Sequence, residues 1–127
     1  MLTSSGVSVS DSGLRRELNV RAFVRRLSTA EIGRTFNQYA ESAVCRDRLV
    51  GYLGRRRQAR YLLVGEAAGY RGARVSGIPF TSERQLTGTG PAEATATIVQ
   101  RTLAELASSA DVLRWNGVPT HPAAVRA

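Results

Sequence analysis

The chain has no lysine and only one cysteine, one histidine, one tryptophan and one methionine among its 127 residues. The lone thiol, Cys45, excludes a disulfide framework or a thiolate metal cluster built within the chain. A chain without disulfides suits a reducing compartment, so the expected location is cytoplasmic. His121 stands between two prolines with no second histidine, cysteine or clustered carboxylate beside it, which argues against a metal site. It reads as a surface or packing residue. No Ser-His-Asp order can be argued from it, although Ser82 precedes it. No run approaches the roughly 20 apolar residues of a membrane span. Met1–Asp11 is Ser-rich but lacks an apolar signal core, and Arg15-Arg16 lacks the apolar segment of a twin-arginine signal. Met1–Leu27 also has the Arg- and Ser-rich, acid-poor make-up of a transit peptide.

What the chain has in quantity is arginine. Its 18 basic residues are all arginine, and the net charge is +8. Residues 1–60 carry 12 arginines against five acids, and residues 61–127 carry six against five, so the basicity belongs to the first half. Such a balance points to a polyanionic partner, most often nucleic acid. An arginine-only set is also what GC-rich coding produces. The guanidinium fork suits phosphate, because it binds two oxygens at once. The length allows one domain, large enough to bury a core without disulfides or metal.

The chain pattern alternates helix and strand signals. Met1–Gly13 reads as a disordered start. In Leu14–Leu27, Val20, Phe23, Val24 and Leu27 fall at i, i+3, i+4 and i+7. This segment is either a helix lying on the domain or an ill-packed extension. Ser28 to Glu31 has capping-box spacing, and Ile32, Phe36, Ala40, Ala43 and Val44 form an apolar stripe behind it. The spacing predicts one helix from about Thr29 to about Gly51, ended by Gly54, with Arg55-Arg56-Arg57 in a loop. Tyr61-Leu62-Leu63-Val64 is an apolar run of strand length, of the kind buried on both faces in a parallel sheet. It opens into Gly65-Glu66-Ala67-Ala68-Gly69-Tyr70-Arg71-Gly72. A glycine-rich turn after a parallel strand is where α/β sheets place ligands. The turn is neither a Walker A loop nor the dinucleotide fingerprint, and a tight turn without a ligand fits its spacing equally well.

Phe80 follows Pro79 in a second glycine-containing loop, either as a stacking platform for a base or as a core anchor. Pro91 opens a helix with Glu93 in its first turn, where negative charge suits the dipole. Its packing face is expected along Thr95, Val99, Leu103 and Leu106, and its end near 107–110. Asp111–Trp115 is a second strand. Strand, helix and strand make a βαβ unit whose two loops share one sheet edge, one with Glu66 and the other with Asn116. A side-chain amide matches a base edge with one donor and one acceptor, although a lone asparagine after a strand is more often a loop cap.

Three ordered segments carry a family resemblance: Leu63–Gly72, Gly77–Glu83 and Trp115–Pro122. Together they resemble the uracil-DNA glycosylase superfamily, in its bacterial members with a G-E-A-x-G first motif. The likeness runs from about Phe36 to Pro122. It implies a three-layer α/β/α fold around a parallel sheet, base flipping, and hydrolysis of an N-glycosidic bond through an oxocarbenium-like sugar. Gly65, Glu66 and Ala67 match the motif that shapes the pocket and positions water, which makes Glu66 the catalytic candidate. Phe80 matches the aromatic that stacks on uracil, and Asn116 matches the asparagine that reads its edge. Tyr70 would wall the pyrimidine C5 side. Arg71 and Arg74 are the implied DNA contacts.

The four-cysteine iron–sulfur cluster of some members with this first motif is not expected here, because Cys45 is the only cysteine, and no other cofactor is implied. The family continues with further strands and a histidine-bearing second motif. On this reading 28–127 is the N-terminal part of a glycosylase-like domain, 1–27 is a flexible basic extension, and activity is expected to be reduced or lost. The partner implied is uracil-containing DNA, with no membrane. Two other classes stay open: a non-catalytic basic nucleic-acid-binding module, and a nucleotide-binding α/β protein using the Gly65–Gly72 loop.

Overall fold

The computed structural model describes residues 11–106 and 109–122. The apolar spacing of the first segment produces α1, Asp11–Ser28, with an acid in its first turn and Arg25 and Arg26 in its last, as the helix dipole favours. Val24 and Leu27 are buried in the core, and the ring of Phe23 packs against Trp115 at a centroid distance of 5.8 Å. Burial of that kind stabilises by about 1.5–3 kcal/mol per side chain. Of the two readings open for Leu14–Leu27, a helix lying on the domain or an ill-packed extension, the structure has the helix, because an amphipathic helix with an apolar stripe finds a surface to cover. Residues 1–10 of the expected flexible extension lie outside the described residues.

The single helix expected from Thr29 to Gly51 is instead two. α2 is Gln38–Glu41 and α3 is Ala43–Arg55, separated by Ser42 in extended backbone. The side chain of Ser42 accepts from the Cys45 amide and so starts α3. The residues from Thr29 to Asn37 are not helical. Asn37 joins the pieces. Its Oδ1 accepts from the amides of Tyr39 and Ala40, while its Nδ2 donates to the carbonyls of Leu27 and Ala30. One side chain thus caps the start of α2 and the end of α1. Helix α3 also runs through Gly54 rather than ending there.

Strand β1 is Tyr61–Ala67 and strand β2 is Val112–Val118, paired in parallel from Tyr61↔Val112 to Ala67↔Val118. Each extends about three residues beyond its apolar run. Between them lie α4 (Ala73–Ser76), α5 (Glu83–Thr87) and α6 (Ala94–Glu105), with a short 3₁₀ turn at Ser109–Asp111. The architecture is mixed α/β, with a two-stranded parallel sheet among the described residues. The expectation of a strand buried on both faces is not met. Leu62 is 62% exposed and Val64 55%, because no described element covers their side chains. An apolar run records what a strand prefers, not whether anything is there to cover it. Helix α6 buries Ala96 and half-buries Val99 and Leu103, whereas Thr95 and Leu106 of the expected packing face are exposed.

The core joins Val24 and Leu27 of α1, Tyr39 of α2, and Cys45, Leu49 and Tyr52 of α3 to Ile78, with Leu113 and Trp115 of β2 packed on it. Its two tyrosines also position the site. The Tyr39 hydroxyl donates to the Gly77 carbonyl at 2.8 Å. The Tyr52 hydroxyl accepts from the Arg114 amide at 2.6 Å and donates to the Arg114 carbonyl at 3.2 Å, fixing the middle of β2. Helix α3 is tied to α5 by a two-pronged ion pair, Arg48 to Glu83, at 2.6 and 3.1 Å.

Candidate functional site

The carboxyl ends of β1 and β2 open into a cleft of about 560 Å³. Gly65, Glu66 and Ala67 reach it from β1 itself, since the strand continues through all three residues. Asn116 reaches it from β2, at the register position opposite Gly65. The Phe80 ring closes over this pair. A Cβ on Gly65 would stand 2.8 Å from Phe80 Cε2 and 3.3 Å from Asn116 Oδ1, so only glycine lets the ring and the amide approach the strand this closely.

Phe80 carries backbone strain. Its φ of +54° is the only positive value among the described non-glycine residues. Such a conformation costs about 1–3 kcal/mol and persists only where its surroundings enforce it. Here Gln100 Nε2 donates to the Phe80 carbonyl at 2.8 Å and to Thr81 Oγ1 at 2.9 Å. The Ser76 hydroxyl contacts the Ile78 and Thr81 carbonyls at 3.2 and 2.7 Å, and Arg114 Nε donates to the Pro79 carbonyl at 3.3 Å. Every residue from Ile78 to Thr81 is therefore held through its backbone carbonyl. Asn116 is only 5% exposed, and its amide has no hydrogen-bond partner among the described residues. That amide lines the cleft wall. Glu66 is exposed on the same wall.

Tyr70, Arg71 and Arg74 are not brought into the cleft. Tyr70 is 59% exposed, and its ring lies between the Arg74 guanidinium, 4.0 Å from the centroid, and the His121 ring at 5.6 Å. Arg71 is exposed on the loop beside it. Two residues join the cleft that the sequence pattern does not put there. Glu93, expected only as a dipole partner in a first turn, is the N-cap of α6, and its carboxylate rests against Gly69 and Gly72. A Cβ on Gly72 would lie 2.7 Å from Glu93 Oε1, so the two glycines make the seat.

His121, read as a surface or packing residue, is a wall of the cleft at 6% exposure. It is held by an antiparallel bridge to Phe36, with amide–carbonyl bonds of 2.7 and 2.9 Å. Its Nδ1 is 2.7 Å from the Ala68 carbonyl. A carbonyl only accepts, so Nδ1 carries the proton, and in the neutral ring Nε2 is left as a bare acceptor. That Nε2 is buried with no partner. The signal in the sequence is slight: a histidine five residues after Asn116, in a stretch with Pro119 and Pro122.

Among the described residues no three histidine, cysteine or acidic side chains stand together as metal ligands, and no helix is long and apolar enough to cross a membrane. The Cys45 thiol is buried, which raises its pKa, and it donates to the Val75 carbonyl at 3.3 Å. No family model, no curated protein and no solved structure matches the chain.

Proposed function

We propose that the cleft takes a uracil base turned out of DNA, with N-glycosidic hydrolysis of the uracil-DNA glycosylase type as its chemistry, at the reduced rate that the sequence reading expects. The observation that carries this reading is the convergence of the Phe80 ring and the unpaired Asn116 amide over Gly65. An extruded base offers a flat π-face and a hydrogen-bonding edge, and the cleft offers one partner for each. Asn116 Nδ2 donates to uracil O4, and Oδ1 accepts from N3–H. Glu66 orients the attacking water. The water oxygen bonds to C1′ of the sugar as the C1′–N1 bond breaks, and the bonding electron pair leaves on uracil N1. The proton lost by the water passes through Glu66 to solvent, and uracil N1 regains a proton after release. The products are free uracil and an abasic site, with no cofactor required. Arg71 and Arg74, outside the cleft, meet the flanking phosphates. In this reading β1 and β2 belong to the central sheet of a three-layer α/β/α fold.

The test is single-turnover excision from an oligonucleotide bearing one uracil, with alkaline cleavage of the abasic product. Asn116→Ala and Phe80→Ala should each slow release about 10- to 100-fold while general DNA binding changes little. Folded protein that releases no uracil, yet binds DNA with steep salt dependence and no preference for uracil, would overturn this in favour of a binding module.

A further inference from the structure

Among the described residues, Arg114 is a cation without a counter-ion. It is 3% exposed, in the middle of β2. Its Nε and Nη2 reach only neutral oxygens, the Pro79 carbonyl at 3.3 Å and Thr81 Oγ1 at 3.5 Å, and its guanidinium lies 5.1 Å from the Tyr52 ring centroid. Nη1 is buried with no partner. The ion-paired acids Glu83 and Asp111 engage Arg48 and Arg60 instead. Burial, and then the neighbouring charge of Arg56, disfavour the cationic form of Arg114. A buried charge that is neither paired nor fully hydrogen-bonded is costly and calls for compensation.

Arg114 lines a second cavity of about 220 Å³ together with Arg55 and Arg56, and no acid lines it. This cavity shares no residue with the uracil cleft. The Pro79–Thr81 segment separates them, with Phe80 lining one and Thr81 the other. Arg56 is fixed in place, 4.5 Å over the Tyr52 ring and bonded through Nε to the Val112 carbonyl at 3.2 Å, while Arg55 is exposed at the rim.

We propose that this cavity is an oxyanion site for a phosphate group, free or carried by a nucleic-acid backbone. Three guanidinium groups with no carboxylate among them suit a ligand with several acceptor oxygens, and a phosphate would supply the charge that Arg114 lacks. The inference does not rest on the uracil reading. Its test is thermal unfolding of the full chain in inorganic phosphate against chloride at matched ionic strength, with a short oligothymidylate as a second arm. Phosphate should raise Tm saturably, as a ligand of the native state does. Arg114→Gln should abolish the response. Arg55→Gln, which removes only a rim group and should fold, as circular dichroism will report, should weaken it about 10-fold. Saturation by oligothymidylate at lower concentration than by phosphate would assign the ligand to a nucleic-acid backbone, and a response to phosphate alone would assign it to the free anion. Phosphate no better than chloride, or an Arg55→Gln titration identical to wild type, would overturn the proposal. So would a response lost in Asn116→Ala but kept in Arg55→Gln, which would move the anion to the other cleft.

Discussion

At the scale of single residues, the cleft depends on a hydrogen atom where other residues have a Cβ. Gly65→Ala would put a methyl 2.8 Å from Phe80 Cε2 and 3.3 Å from Asn116 Oδ1, so the ring must swing away from the strand. Base stacking on an aromatic is worth about 1–3 kcal/mol, so under the proposed function excision by Gly65→Ala should fall about 10-fold or more in single-turnover kinetics with the fold intact. Gly65, Phe80 and Asn116 are legible as candidates in the amino-acid sequence because each lies in one of the three short segments that carry the resemblance, although Phe80 is held in place by residues as distant as Gln100 and Arg114. Glu93 and His121 are not. Glu93 comes to the cleft because Gly69 and Gly72, more than 20 residues earlier, leave room for its carboxylate. His121 comes because Phe36 and Ala68 hold it there. Neither partner is near in sequence, and no spacing rule connects them. His121→Gln keeps a polar side chain but loses the fixed Nε2 acceptor. If the cleft takes a base as proposed, the substitution should weaken uracil binding, and it should lower the unfolding free energy by no more than about 1–3 kcal/mol, the cost of leaving the buried Ala68 carbonyl without its donor.

At the scale of elements, caps decide what periodicity leaves undecided. The apolar stripe from Ile32 to Val44 is compatible with one helix, but Asn37 and Ser42 each supply a side-chain oxygen to free amides and so start new helices. Asn37→Ala strips the cap from α2 and the donor that serves two carbonyls at the end of α1. A loss of about 2 kcal/mol in urea unfolding, with an unchanged m value, is expected. The α3–α5 contact is electrostatic. The bond from Arg48, followed by its charge, holds the Glu83 carboxyl below the usual carboxylate range. A carboxylate with a depressed pKa in the folded state stabilises fully above its unfolded value of about 4.3, and that contribution fades as pH falls through the folded value. The stability gap between wild type and Glu83→Gln should therefore be constant near neutrality and close below about pH 4. Urea midpoints measured across that range check it. Strand lengths are legible only in part, because β1 and β2 continue past their apolar runs into Gly65-Glu66-Ala67 and Asn116-Gly117-Val118, where pairing rather than hydrophobicity keeps them extended.

At the scale of the molecule, the helical half is built from near neighbours and the cleft from distant ones. Helices α1, α2 and α3 follow one another along the chain and share one core. The cleft instead needs residue 61 beside 112, and the segment from Thr35 to Gln38 clasping Pro119 to His121. There the two threonine hydroxyls meet across 85 residues, and Gln38 Nε2 donates to the Pro119 carbonyl at 2.9 Å. Contacts of that separation must first overcome the entropy of closing a long loop, so they form late. The helical core should accordingly fold first, and the binding wall should condense onto it as the last event. In chevron kinetics Thr120→Val should speed unfolding several-fold and leave the refolding rate nearly unchanged, the signature of a contact absent from the transition state. The same order gives the cleft a distinct vulnerability. A chain still growing on the ribosome should begin to form its helices before it has a His121 to clasp, and in a finished chain the clasp should be the first structure to let go.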